Sequence, residues 1–214
     1  MELLKEVVKI YIERKEWFLE LLAQHMTLSV VAILLAGSLG LLIGVFISEH
    51  ERLAPFILGI ANVFYTIPSI SLFGMLIPIC GIGDKTAIIA LTIYGIMPMV
   101  RNTYAGIKNV SEDVIMAARG MGSTEFQIMI KIKLPLAMGV IIAGVRNMVV
   151  MTISVTAIAS FIGAGGLGVS IYRGITMYNT ALTFAGSILI AALALLSDFL
   201  LGKIENKLKK RGTY

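Results

Sequence analysis

Five long uncharged stretches divide the chain: Met26 to Ser48, Leu53 to Gly83, Thr86 to Val100, Leu134 to Tyr172 with only Arg146 interrupting, and Gly174 to Ser197. A helix needs about 20 apolar residues to cross a bilayer. The first, second and last stretches meet that length, and the third falls short of it. The third becomes adequate if the Arg101 side chain snorkels and the helix continues toward Tyr104. The fourth is nearly twice the needed length, too long for one simple helix. Pro68 and Pro78 are placed to break or kink the second. The pattern predicts an all-α polytopic membrane protein.

Between the third and fourth stretches lies a polar island from Ser111 to Pro135 with helix punctuation. Ser111 is a candidate N-cap, Glu112 and Asp113 put negative charge in the first turn, and Gly120 and Gly122 are placed to end the helix. Ser123 is the candidate cap of a second helix running through Phe126, Met129 and Ile132 to Leu134-Pro135. A helix-turn-helix outside the bilayer reads as a docking surface for a partner.

Composition agrees with the apolar pattern. Hydrophobic residues are 57% of 214 and charged residues only 14%, against about 25% charge in a soluble domain. The net charge of +5 does not point to nucleic acid, because the 18 basic residues cluster between apolar runs as membrane topology requires. The single Cys80 reads as a small core residue. No cleavable signal peptide is expected, since charges interleave throughout residues 1–25 and leave no compact apolar core.

Basic charge also decides the crossings. Arg101, Lys108, Arg119, Lys131 and Lys133 precede the fourth stretch, and Lys203, Lys207, Lys209, Lys210 and Arg211 follow the fifth. Both blocks should face the cytoplasm, so the fourth stretch crosses once and its remainder folds back near Gly163, Gly165, Gly166 and Gly168. The expectation is five transmembrane helices, N-terminus outside and C-terminus inside. Residues 1–25, with Leu4, Val7, Val8, Tyr11, Phe18, Leu21 and Leu22 at helical spacing, read either as an interfacial helix or as a soluble extension of the first span. Residues 26–202 form the transmembrane domain, with a cytoplasmic loop at 104–133, and 203–214 a basic cytoplasmic tail.

Catalytic and cofactor motifs fail on context. Gly163, Gly165 and Gly168 have dinucleotide-fingerprint spacing but open no βαβ unit, and Gly83-Asp84-Lys85-Thr86 lacks the glycine directly before lysine that a phosphate loop needs. His25 and His50, at opposite ends of the first span, read as interfacial residues with no shared metal. No nucleophile-base pair can be assembled, so an enzyme is not expected, and neither a metal nor a cofactor is expected in this chain. Arg146 stands apart. It follows Pro135 by about three helical turns, which puts it well inside the bilayer, where it must face protein or water. Either it pairs with Asp198 or it contacts solute. Tyr94, Asn147 and Ser160 are further candidates to line a solute pathway, or to bond a neighbouring helix.

Ala117-Ala118, Gly122, Ile132, Leu134 and Pro135 match the spacing of the cytoplasmic loop of permease subunits in binding-protein-dependent ABC importers, with Met116 standing where that pattern has glutamate. Tyr65 to Ser69, Gly81 to Gly83, Pro98 to Thr103, Ala118 to Gly122 and Ile162 to Gly168 resemble the osmoprotectant permeases for glycine betaine, carnitine and choline. The resemblance runs from about Gln24 to Arg173. It implies a type I importer permease fold in a bacterial or archaeal cytoplasmic membrane, a second permease subunit that is an identical or related chain, and an external solute-binding protein. It also implies separate ATPase subunits that carry ATP and Mg. Val114, Met116, Ala117, Ala118, Met121, Gly122, Phe126, Leu134 and Pro135 would form the ATPase-coupling surface. Importers of methionine or another small amino-acid-like solute share several of these features. A secondary transporter is the more distant alternative, since it would need an intramembrane carboxylate for ion coupling.

Overall fold

The computed structural model describes residues 2–211, and every described element is helical. In chain order they are α1 (Glu2–Glu13), α2 (Lys15–Glu49), α3 (Ala54–Thr66), α4 (Ser69–Cys80), α5 (Asp84–Lys108), α6 (Glu112–Gly120), α7 (Glu125–Ile128), α8 (Leu134–Ala159), α9 (Gly168–Thr176) and α10 (Thr180–Arg211). Among the described residues α2, the unbroken run Glu125–Ile162 and Thr180–Leu208 are each long and apolar enough to cross a membrane. The pair α3 and α4 qualifies only jointly, because it bends by 98°.

That bend falls at Pro68, one of the two prolines placed to break or kink the stretch Leu53 to Gly83. Ile67 is extended at φ −65° and ψ 128°, as the clash between a proline ring and the preceding residue demands. Pro68 thus breaks the run, whereas Pro78 is absorbed inside α4. The hydroxyl of Tyr94 donates to the Ile67 carbonyl that the break leaves without a helical partner. The short third stretch lengthens as expected, since α5 continues past Arg101 to Lys108. α8 ends at Ala159, and a 3-10 turn leads to Gly163, whose φ of 78° ends the helix. At the N-terminus α2 begins at Lys15, so the helix of the first apolar stretch extends back into residues 1–25.

Long-range bonds sort the helix ends into two groups. Gly83 N–H donates to the Ile162 carbonyl and Gly166 N–H to Gln24 Oε1, which gathers the start of α2, the α4–α5 junction and the glycine loop at one end. Lys133 pairs with Glu49 and Lys108 with Glu51, which gathers the α2–α3 junction, the end of α5 and the start of α8 at the other. The broken α3–α4 pair therefore runs from one end of the bundle to the other despite its bend.

α5 is the central helix, packed between α2 and α8 with α3 and α4 alongside. Ala32, Ala36, Gly40 and Gly44 recur every four residues and form one buried face of α2. A β-carbon on Gly40 would lie 2.6 Å from Met99 Cβ, and one on Gly44 2.5 Å from Thr103 Cβ. Gly95 and Gly144 allow the same approach to Ala36 and Asn102. In lipid, close contact of small residues stands in for the hydrophobic drive that water would supply. Gly44→Leu should force α2 from α5 at a cost of about 3 kcal/mol or more, with a lower melting temperature in detergent. A variant that melts like the parent would refute the close packing of this face.

Candidate coupling surface and solute cleft

The polar island folds as a helix-turn-helix. Ser111 stands at the N-cap of α6 but its side chain makes no capping bond, so Glu112 and Asp113 carry the electrostatic part of that terminus. At the other end Gly122 adopts φ 83°. Its N–H donates to the Arg119 carbonyl at 2.9 Å, and the Ser123 N–H donates to that of Ala118 at 3.1 Å. This is a Schellman closure, and it turns the chain sharply. The cap of the second helix is Thr124, one residue beyond the expected Ser123. Its Oγ1 accepts from Gln127 N–H at 3.3 Å while its own N–H donates to Gln127 Oε1 at 3.0 Å, a reciprocal capping box.

The second helix does not stop at Leu134-Pro135. α7 passes through a π-helical turn, Met129–Lys133, straight into α8. Pro135 has no N–H to return to the preceding turn, and the wider turn just before it accommodates that loss. The second helix of the polar island is thereby joined to a bundle helix as one continuous helical run, 125–162.

Each expected coupling residue has a definite orientation. Val114, Met116, Met121 and Phe126 are exposed, the last two at 80% and 75%, and Ala117 and Gly122 are exposed with them. Ala118 is instead buried against Ile115 and Ile128, so its small size brings α6 close to α7 within this chain. Leu134 packs into the bundle core, and Pro135 is exposed on α8. The outward face is apolar at the tip of an otherwise charged region.

Ion pairs moor this element. Lys133 Nζ lies 2.7 Å from Glu49, Lys108 bonds Glu51, and Arg119 clasps Glu125 with bonds of 2.7 and 3.1 Å. Glu49 and Glu51, at the α2–α3 junction, escaped the sequence reading because 84 and 57 residues separate them from their partners. The Lys108 ammonium holds the Glu51 carboxyl below its ordinary 4.5, and the Arg119 guanidinium does the same for Glu125. A depressed carboxylate stabilises the folded seam above its ordinary pKa, and that contribution is lost as pH falls through the folded value. A spin label on Met121→Cys, with the half-buried Cys80 replaced, should be ordered at pH 7 and become more mobile only as pH falls below the ordinary carboxylate range. Unchanged mobility would contradict the mooring.

Inside the bundle, Arg146 carries the strongest electrostatics. Its Nε and Nη2 donate to the two Asp198 oxygens at 2.6 and 2.7 Å, and Nη1 donates to Glu205 at 3.0 Å. The expected Asp198 partner is present. Glu205 was missed because it falls in the segment read as a basic tail; α10 carries on through that segment, and two helical turns beyond Asp198 bring Glu205 to the same face. Gly202 lies between them, where a β-carbon would come 3.2 Å from the Arg146 Cζ.

Beside this cluster an open cleft of about 620 Å³ has α3, α5, α8 and α10 for walls, with Asn62, Tyr65, Arg101, Asn102, Asn147 and Asp198 as its polar lining. Of the expected pathway residues, Asn147 lines it and Arg146 holds one of its walls through Asp198. Tyr94 and Ser160 do not. The first is buried at the α3–α4 break, and the second is buried with its hydroxyl donating to the Ala157 carbonyl at 2.9 Å. His25, read from the sequence as a residue at the end of the first span, turns inward. It is fully buried, with Nε2 bonded to the Ile153 carbonyl at 3.0 Å.

Paired charges held inside an apolar bundle, next to a polar cleft, mark a membrane protein that moves solute. The chain belongs to the family described as binding-protein-dependent transport system inner membrane component, matched over residues 36–210. It is thus a permease subunit of an ABC importer. It is 38% identical to the carnitine transport permease protein OpuCD of Listeria monocytogenes serotype 1/2a (strain 10403S), over 97% of this chain and 94% of that one. It is 36% identical to the glycine betaine/carnitine/choline transport system permease protein OpuCD of Bacillus subtilis (strain 168), over 100% and 96%. Among solved structures, a chain of the MetNI methionine ABC transporter in an inward-facing form superposes with a TM-score of 0.82 at 25% identity, covering 90% of this chain and 96% of that one.

Proposed function

We propose that this permease imports a small osmoprotectant, namely glycine betaine, carnitine or choline, by alternating access driven by a separate ATPase. The observation that carries the coupling half of this reading is the exposed apolar tip of α6 and α7, joined without a break to α8. An ATPase that grips Val114, Met116, Met121 and Phe126 would move α8 directly, and with it the cleft wall that bears Asn147. ATP and Mg belong to that partner. The substrate half rests on the printed activities of relatives at 36% and 38% identity. Methionine is the second reading, favoured by the fold likeness to the methionine importer, though at the lower identity of 25%.

In this reading five segments cross a bacterial or archaeal cytoplasmic membrane: α2, the broken α3–α4 pair, α5, α8 and α10. The helix-turn-helix and the end of α10 face the cytoplasm, and α1 and the glycine loop face outside. α1 exposes Leu4, Val8 and Ile12 on one stripe, which suits an interfacial position. A second permease, identical or related, completes the pathway, and a solute-binding protein supplies it from outside.

Met116→Cys in a Cys80-free background should cross-link to a co-expressed ATPase subunit bearing a surface cysteine, and the cross-link should abolish transport. Failure to co-purify any ATPase would overturn the coupling half of the reading. Maleimide labelling of intact cells would check the orientation, with Met121→Cys protected until the membrane is opened.

A further inference from the structure

We infer that Tyr94 is a positioning residue for transport: its hydroxyl holds the Pro68 break and its ring backs Tyr65, so that it sets where α3 stands as a wall of the cleft without lining the cleft itself. The inference rests on the reading above that the cleft carries solute, and it gives α5 a residue that acts on the pathway at one remove.

Tyr94 is a fixed point. It sits on the central helix α5, is 5% exposed, and belongs to a buried cluster with Leu91, Leu72 and Phe73. From there it meets the α3–α4 run twice. Its hydroxyl donates to the Ile67 carbonyl, and its ring meets that of Tyr65 edge to face, with centroids 6.4 Å apart and planes at 65°. Aromatic rings in this arrangement constrain each other's orientation as well as their distance. Ile67 directly precedes Pro68, where the run bends by 98°. A carbonyl freed by such a break inside an apolar bundle has no water to turn to. The bond from Tyr94 therefore fixes the break, and the ring contact fixes the direction of Tyr65 just before it.

The rest of α3 is lightly held. Among its described residues Ala54, at the far end, is the one that is buried, seated with Ile47 and Val100 and with Ile57 and Leu58 packed partly beside it. From Ala54 to Ile67 is about 20 Å of helix. Between these two anchors Asn62 and Tyr65 line the cleft, and Tyr65 is 45% exposed there. Without the hydroxyl the Ile67 carbonyl must find another donor, the bend changes, and α3 carries Asn62 and Tyr65 out of place.

Tyr94→Phe keeps the ring and removes the hydroxyl. In proteoliposomes holding the complete importer, its turnover number for glycine betaine uptake should fall about fivefold, as a small misplacement of a pathway wall would produce. Tyr65→Leu should lower turnover about tenfold, and the double variant should stay within about twofold of Tyr65→Leu, because Tyr94 acts through Tyr65. Leu91→Val trims the same buried cluster without touching the break; it should lower the melting temperature and leave turnover within about twofold of the parent. A nitroxide on Val63→Cys, exposed on α3 and with Cys80 replaced, should be more mobile in Tyr94→Phe than in the parent or in Leu91→Val. Parental turnover in Tyr94→Phe, a matching loss in Leu91→Val, a double variant that shows the product of the two losses, or a Val63 label unmoved by Tyr94→Phe would each overturn the inference while the importing role stands. Absence of uptake of all three osmoprotectants by the parent would defeat that role, and the inference with it.

Discussion

Gly122→Val is expected to reduce solute-stimulated ATPase activity of the assembled importer about tenfold while leaving solute affinity of the external binding protein unchanged. Gly122 holds φ at 83° and has nothing within 4 Å of where a β-carbon would project, so the obstacle is conformational and not steric crowding. A β-branched residue in the left-handed region costs about 1–3 kcal/mol. Relief is available by opening the Schellman closure, which would release the Arg119 and Ala118 carbonyls and swing α6 away from α7. The exposed tip formed by Val114, Met116 and Met121 would then lose its fixed angle to the 125–162 run. Gly122→Asn, which tolerates this conformation better, should retain most of the coupling. Equal loss in both variants would point to a surface effect and contradict the account.

Removal of Arg146 should have the largest effect on assembly. Arg146→Leu takes the guanidinium away from Asp198 and from the buried Glu205 at once, and stripping the partner from a carboxylate in an apolar bundle is strongly unfavourable. The yield of monodisperse protein should fall severalfold, about fivefold or more. Arg146→Lys should recover only part of it, because an ammonium cannot reproduce the bidentate grip on Asp198 while also reaching Glu205. The exchange Arg146→Asp with Asp198→Arg should restore only part of the yield, because it re-forms the pair between positions 146 and 198 but sets a carboxylate where Glu205 had a guanidinium. If the exchange stays as poor as either single change, pairing is not the reason Arg146 is tolerated at this depth.

Elements set by local rules were legible in the chain itself. The apolar runs located the long helices, Pro68 located the break, the glycines after Ser160 located the departure from α8, and Gly122 located the turn of the helix-turn-helix. Features set by distant partners were not. Glu49 and Glu51 look like ordinary residues at the end of a helix until Lys133 and Lys108 arrive from far along the chain. Glu205 was hidden by the basic residues around it, although its spacing from Asp198 was a readable signal. Tyr94 and Ser160 fit a pathway by residue type, yet each is engaged by a backbone carbonyl. The four-residue repeat Ala32, Ala36, Gly40 and Gly44 was visible, but only the closeness of Met99 and Thr103 gives it a purpose.

The π-helical turn has a mechanical consequence. A docking helix on a flexible loop could shift without moving the bundle, whereas α7 and α8 share one unbroken backbone run. In the proposed coupling, displacement at Phe126 would be passed to Asn147 and, through Arg146, to Asp198 on α10.

The central claim is that this chain passes an osmoprotectant inward, driven by ATP hydrolysed on a partner. The direct measurement is uptake of labelled glycine betaine, carnitine and choline, with methionine alongside, into proteoliposomes holding the permease with its ATPase. ATP is enclosed on the side of α6, and the binding protein is added on the other. The account predicts concentrative uptake of at least one osmoprotectant that needs both ATP and binding protein and is abolished by vanadate. Uptake of methionine alone, or flux of solute through this chain without the ATPase, would contradict it.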